Sequence, residues 1–105
     1  MISIEEMADQ FKLLGDKTRL KIVAILNQHD MCVCHLVELL QTTQPNISQH
    51  LRKLKDAGFV KEERRGQWIY YSLHVSDQPF IQEALKCLPD IDEEIQQKLQ
   101  TMKCE

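Results

Sequence analysis

The sequence lacks the segments that would take a protein into or across a membrane. It has no apolar run of the roughly 18–20 residues that cross a bilayer. Its amino terminus carries Glu5, Glu6 and Asp9, where a secretory signal would carry a basic segment followed by an apolar one. Internal repeats and low-complexity segments are missing as well. We therefore expect a cytoplasmic protein with no membrane partner and with a single domain over residues 1–105.

The sequence also lacks the motifs of thiol and phosphate-transfer enzymes. It has no C-x-x-C pair, no glycine-rich phosphate loop and no Ser/His/Asp set in a supporting context. We therefore expect that the protein is not an enzyme. Four cysteines are present, and in a reducing compartment they favour metal binding, redox chemistry or burial over a disulfide scaffold.

The net charge of −3 hides an uneven distribution of charged residues. Positions 44–68 hold six basic and three acidic residues, whereas positions 77–105 hold three basic and seven acidic residues. A locally basic segment in an acidic chain favours a focused anionic partner over general polyanion binding. A solvated charged surface is the alternative interpretation.

Hydrophobic spacing predicts a mainly helical chain with one β-hairpin. The predicted elements are helices over 4–14, 16–27, about 32–40 and 45–57, strands over 59–63 and 68–73 joined by the turn "RRGQ", and two helices after position 79 that Pro89 separates. Asp16 is predicted to cap the second helix, Pro45 to stand in the first turn of the fourth, and Gly58 to end it.

Two short helices, the polar turn "QTTQPN" and a basic hairpin predict a winged helix-turn-helix that binds double-stranded DNA. The helix-turn-helix core is predicted at about 32–57 and the wing at about 59–74. In the fourth helix Ile47, Leu51 and Leu54 form an apolar face, which leaves polar side chains to read base edges and basic ones to contact phosphates. The predicted DNA-binding residues are Gln44, Asn46, Ser48, Gln49, His50, Arg52, Lys53, Arg64, Arg65 and Gln67. The alternative for any single one of these residues is that it is exposed to solvent without contacting DNA. The alternative for the winged helix as a whole is that it contacts other proteins.

The segment "MCVCHLVELLQ" places Cys32 and Cys34 at the start of the third predicted helix. Two residues turn about 200° around a regular helix, so the two side chains would point nearly opposite ways. They could share one ion only if the helix began there in non-helical geometry or if the ion distorted it. We hypothesise that ion binding disturbs this helix and the recognition helix that it supports. Burial as small apolar residues is the alternative, and diverging side chains would disfavour a disulfide between them.

The blocks "LGDKTRLKIVAIL", "CVCHL", "QPNISQHLRKLKDAGFV" and "RRGQWIYYSL", in this order, resemble the ArsR/SmtB-type metalloregulatory repressors. The resemblance covers about residues 7–73, and "CVC" is similar to the branch that senses arsenic and thiophilic metals. It implies a homodimer that binds operator DNA and leaves it when an ion binds Cys32 and Cys34, with no cofactor permanently bound. It also implies dimerisation helices at about 4–14 and 79–103, to which we assign the apolar stripe of Ile4, Met7, Phe11, Ile91, Ile95 and Leu99.

The chain departs from the arsenic-sensing pattern at two positions, where His35 replaces an acidic residue and Val37 a third cysteine. Cys104 is the candidate third sulfur, an external thiol is an alternative, and Cys87 is predicted to lie in the core. The fifth helix lacks the histidines of the family's zinc sensors, and no cysteine precedes Cys32 as in its cadmium and lead sensors. The resemblance thus implies arsenite or antimonite as the effector, with cadmium, lead, zinc or thiol oxidation as alternatives. An arsenate reductase or a thiol oxidoreductase is the non-regulatory alternative.

Overall fold

A computed structural model describes residues 2–101 and confirms the predicted fold class, a mainly helical winged helix-turn-helix with a small antiparallel sheet. The elements are α1 (Ile4–Leu14), α2 (Lys17–Leu26), β1 (Met31–Cys32), α3 (Val33–Leu40), α4 (Gln44–Asp56), β2 (Val60–Arg65), β3 (Trp68–Leu73), α5 (Pro79–Lys86) and α6 (Glu93–Thr101). In the described part of the chain, none of these helices has both the length and the apolar character needed to span a membrane.

Local capping fixes where the helices begin. The Asp16 carboxylate accepts a hydrogen bond from the Arg19 N–H at 3.0 Å and caps α2 as predicted. The Thr43 hydroxyl accepts from the Asn46 N–H at 3.3 Å and caps α4, whose first turn contains Pro45. Both starts bear out what the sequence predicts.

Gly58 turns the chain from the recognition helix α4 into the wing. Its φ of 82° lies in the left-handed region, which disfavours any residue with a side chain. The Gly58 N–H donates to the Lys55 carbonyl and the Phe59 N–H to the Leu54 carbonyl, both at 2.9 Å, so the last carbonyls of the helix are satisfied. Phe59 is thereby buried and β2 begins at the next residue.

The core joins α2, α3 and α4, and the predicted apolar face of α4 is fully buried. Its members on these helices are Ile22, Val23, Ile25, Leu26, Leu36, Leu39, Ile47, Leu51 and Leu54. Ile95 and Leu99 of α6 belong to the same core, with 7% and 5% of their surface exposed. Their assignment to a stripe between subunits is therefore wrong, because α6 packs them within its own chain.

The wing differs from the prediction at its turn. Arg64 and Arg65 continue β2 and pair with Ile69 and Trp68, so the connection contains two residues instead of the four of "RRGQ". Gly66, the first of the two, has a φ of 65°, as the type II′ hairpin turn requires.

A third strand, β1, is absent from the predicted elements. Met31 and Cys32 pair with Tyr71 and Tyr70 of β3, giving the sheet order β1-β3-β2. Helix α3 consequently begins at Val33, one residue later than predicted. The residue that carries the first thiol is therefore a sheet residue that adjoins the wing.

Candidate functional site

The recognition helix α4 exposes most of the side chains predicted to contact DNA. Gln44, Ser48, Gln49, Arg52 and Lys53 are exposed, beside the buried apolar face. These residues offer amide and hydroxyl groups for base edges and cations for phosphates.

Asn46 and His50 are less available for contacts with DNA, because both side chains contact other residues of the chain. The Asn46 amide donates to the Thr42 hydroxyl at 2.9 Å and is half-buried. His50 faces α2, where its Nδ1 lies 3.2 Å from Arg19 Nη1 and its Nε2 lies 3.9 Å from Asp16 Oδ1. Because a guanidinium only donates, Nδ1 of His50 is the acceptor. Burial lowers the pKa of His50, which agrees with a neutral ring that joins α2 to α4.

The wing presents Arg64 and Gln67 to solvent, whereas Arg65 contacts other residues of the chain. Its Nη2 donates to Asp30 Oδ2 at 2.8 Å and its Nε donates to Glu63 Oε1 at 2.7 Å. The guanidinium also lies 4.7 Å from the centre of the Tyr70 ring. Arg65 is thus held between two carboxylates, next to the strand that leads to the first cysteine.

Cys32 and Cys34, the thiol pair, lie side by side. Cys32 is the N-cap of α3 in extended conformation, with φ −87° and ψ 163°, so the helical angle between the two residues does not apply. Their Sγ atoms are 3.0 Å apart. This is the first of the two cases that the sequence allows, a helix that begins at the pair in non-helical geometry, so a shared ion need not distort α3. The argument that divergent side chains disfavour a disulfide is wrong.

His35 brings a third donor to the thiol pair. Its Nδ1 lies 3.1 Å from Cys32 Sγ, and one donor atom from each of the three residues fits within 4.8 Å. We call these three residues the donor triad. His35 is not among the predicted ion ligands, although its position three residues after Cys32 puts both on one side of the first helical turn.

The surroundings of the thiol pair hold Cys34 in its neutral form. Burial, followed by the neighbouring sulfur of Cys32, raises the pKa of Cys34 to about 11. Backbone N–H groups at the start of α3 act in the opposite direction but are outweighed. A bound cation would reverse the balance, since coordination deprotonates a thiol.

Among the described residues, no further cysteine joins this site. Cys104 lies outside the described residues. Cys87 follows the last residue of α5 and is exposed, so its predicted place in the core is wrong. Helix α5 stops at Lys86, two residues before the position next to Pro89 where the sequence pattern ends it, so Cys87 lies beyond the helix.

The chain is similar in sequence and fold to known proteins. The model of the family described as "Bacterial regulatory protein, arsR family" matches residues 16–62. The arsenical resistance operon repressor of Escherichia coli is 35% identical over 99 residues, which cover 90% of this chain and 85% of that protein. The chain belongs to the ArsR family.

Further similarities agree with membership of the ArsR family. An arsenic resistance transcriptional regulator of Pseudomonas putida is 38% identical over 85 residues, covering 80% of this chain and 66% of that protein. The crystal structure of the transcriptional repressor PagR of Bacillus anthracis superposes with a TM-score of 0.68 at 32% identity, covering 82% of this chain and 95% of that one. This ArsR-family protein is thus a DNA-binding transcriptional regulator, and the relatives it resembles are named as regulators, not as enzymes.

Proposed function

We propose that this ArsR-family protein is a repressor that leaves its operator when trivalent arsenic or antimony binds Cys32 and Cys34. The distance of 3.0 Å between the two sulfurs carries the proposal. Two sulfurs that share one tetrahedral zinc ion at about 2.3 Å lie about 3.8 Å apart, and the smaller bond angles of pyramidal trivalent arsenic bring them closer than that. The thiol pair therefore has to open by less than ~1 Å to hold a shared ion. Soft thiolates select soft ions over magnesium or calcium.

The thiol pair stands between the two elements that would contact DNA. Cys32 is paired in the sheet with Tyr70 of the wing, whereas Cys34 belongs to the first turn of α3, which packs against the recognition helix. An ion held by both sulfurs fixes β1 relative to α3. It releases DNA to the extent that it binds the DNA-free arrangement more tightly, and moving a repressor mostly off its site takes several kcal/mol of that preference.

Operator binding itself relies on the exposed face of α4 and on the wing. Gln44, Ser48 and Gln49 supply groups for base edges, and Arg52, Lys53 and Arg64 supply phosphate contacts. Each phosphate contact releases counterions, so affinity falls steeply with salt.

A homodimer is the expected functional unit. Helix α1 has an apolar face but buries no residue completely within its own chain. Ile4 is 84% exposed, and Phe11 is 59% exposed although its ring contacts Phe80 edge-to-face at 4.8 Å. A second copy that covers this face would bring two recognition helices to one operator, as the winged helix-turn-helix geometry requires.

The test measures release of labelled operator DNA from the full chain by fluorescence anisotropy, with arsenite and antimonite as effectors. Cys32→Ser and Cys34→Ser should bind the operator nearly as the wild type does but remain bound at effector concentrations that release the wild type. The matched control is Cys87→Ser, an exposed thiol away from the site, which should release normally. Normal release by Cys34→Ser would reject the site.

The same sulfur distance also favours a second candidate, release on thiol oxidation. Hydrogen peroxide would convert the two thiols of Cys32 and Cys34 into one disulfide and form two waters, and the sulfurs already lie 3.0 Å apart. The raised pKa of Cys34 opposes a fast reaction, because the thiolate is the reactive form. Release by hydrogen peroxide in the absence of arsenite, reversed by a reductant, would favour this candidate.

A further inference from the structure

We propose that His35 is the third ligand of the thiol site and that it makes the site competent for borderline divalent ions of the zinc class. The inference rests on the proposed function in one respect, that Cys32 and Cys34 bind the ion together. It adds the donor that decides which further ions are accepted.

The geometry brings the His35 ring to the sulfurs. As the third residue of α3, it sits on the same side of the helix start as Cys32, and its Nδ1 lies 3.1 Å from Cys32 Sγ. Zinc bonds of about 2.3 Å to sulfur and 2.0–2.1 Å to nitrogen separate the two atoms by about 3.6 Å in a tetrahedral site. The distances from Cys32 Sγ to the other two donors, 3.0 and 3.1 Å, are therefore within ~1 Å of what a zinc ion needs, and all three donor atoms lie within 4.8 Å of one another. Cys32 is buried, His35 half-buried and Cys34 exposed, so a fourth ligand can enter from the solvent beside Cys34.

The donor chemistry separates the two classes of effector. An imidazole nitrogen suits zinc, copper and nickel, whereas trivalent arsenic favours sulfur. His35 should therefore add little to arsenite binding and much to the binding of a divalent ion. Two thiolates and a neutral imidazole also give a zinc complex without net charge. The positive end of α3 consequently does not oppose the ion.

The experiment titrates the full chain with Co²⁺, whose absorption reports coordination, and with Zn²⁺ against a chromophoric chelator. The wild type should bind one Co²⁺ per protomer with thiolate charge-transfer bands and the visible bands of a tetrahedral ion. His35→Gln, which keeps a polar side chain of similar size, should weaken Co²⁺ and Zn²⁺ binding by at least about tenfold. Unchanged affinity in His35→Gln would overturn the assignment.

Two controls separate this outcome from failure of the thiol pair. Phenylarsine oxide forms two arsenic–sulfur bonds and releases one water, so it needs Cys32 and Cys34 but no third ligand. His35→Gln should bind it as tightly as the wild type, and unchanged operator affinity in the absence of an ion establishes that the variant is folded. A wild type that fails to bind phenylarsine oxide would instead reject the proposed function.

A further pair of variants tests the competing third ligand. Cys104→Ser should leave Co²⁺ affinity unchanged, and loss of Co²⁺ binding in Cys104→Ser but not in His35→Gln would assign the third position to the tail and overturn the proposal. His35→Cys should retain Co²⁺ with a stronger charge-transfer band and bind arsenite more tightly than the wild type, because it restores a three-sulfur set. No gain in arsenite affinity would mean that position 35 does not reach the ion.

Discussion

Arg65 Nη2 donates to Asp30 Oδ2 at 2.8 Å, so the end of strand β2 in the wing is bound to the residue that precedes β1. Glu63 accepts from the other side of the same guanidinium at 2.7 Å. An arginine held by two carboxylates must release at least one of them before it can contact a DNA phosphate. Asp30 thus competes with a DNA phosphate for Arg65. Because Asp30 is two residues from Cys32, the segment that carries the thiol site also contributes to this competition.

Removing the Asp30 carboxylate should raise operator affinity in the absence of an effector. Asp30→Asn keeps the shape of the side chain but weakens its hold on Arg65. Both side chains are partly exposed and solvent screens their attraction, so the gain should be at most about fivefold. Fluorescence anisotropy with operator DNA at low salt measures it.

The matched test of this competition is a double-mutant cycle with Arg65→Ala. Arg65→Ala alone should weaken binding to operator and to random DNA alike. In that background Asp30→Asn should have almost no further effect, since the charge it competes for is gone. An equal gain with and without Arg65 would mean that Asp30 acts only by repelling DNA.

Gln49 and Arg64 should separate sequence reading from phosphate binding. Gln49 is exposed on α4, so Gln49→Ala should cost about 1–3 kcal/mol of discrimination between operator and random duplex if its amide reads a base. Arg64→Ala should weaken binding to both duplexes and reduce the slope of log affinity against log salt by about one. Affinities measured on both duplexes at several salt concentrations test the two variants together. Equal losses on both duplexes in Gln49→Ala would remove that residue from the base-reading set.

The helices of this fold could be predicted because their signals are local. The apolar spacing of Ile47, Leu51 and Leu54, the cap at Asp16 and the stop at Gly58 each act within a few residues. Strand β1 has no such signal. It exists because Met31 and Cys32 meet Tyr71 and Tyr70, far along the chain.

That missing strand explains the error at the thiol site. Starting α3 at Cys32 instead of Val33 turns the two side chains apart, whereas the extended backbone at Cys32 brings the sulfurs to 3.0 Å. A shift of one residue in a helix boundary is within the ordinary uncertainty of such boundaries. Apolar periodicity also predicts that a residue is buried without indicating which surface covers it. For this reason the sequence places Ile95 and Leu99 between subunits, whereas the structure packs them within one chain.

Asp16 should stabilise the fold in a pH-dependent way. The backbone N–H of Arg19 is the main cause that lowers the pKa of Asp16 below its ordinary value of 3.8. A folded-state pKa below the unfolded one means that the contribution is present above the unfolded value and is lost as the pH falls through the folded value. Asp16→Ala should therefore lower the free energy of unfolding by about 1 kcal/mol near pH 7.

The pH series for Asp16 needs a cap that does not titrate. Asp16→Asn provides it, because asparagine caps helices about as well as aspartate. The difference in the free energy of urea unfolding between wild type and Asp16→Ala should be constant from about pH 5 to 7 and should shrink below about pH 4. The same difference between Asp16→Asn and Asp16→Ala should not change with pH. A wild-type difference that grows on acidification would contradict the assigned role.

Ile4 and Ile95 should distinguish an interface between subunits from the core of one chain. Ile4 is 84% exposed on α1, and Ile4→Glu puts an acidic side chain at a helix amino terminus, where it does not destabilise the protomer. Sedimentation at micromolar concentration should find the wild type dimeric and Ile4→Glu shifted toward monomer, with operator affinity falling in parallel because one recognition helix is lost. Ile95 is 7% exposed, so Ile95→Ala should instead lower the free energy of unfolding by about 2–5 kcal/mol while association is retained. A wild type that sediments as a monomer would reject the dimer, and an Ile4→Glu variant that stays fully dimeric would move the interface away from this end of α1.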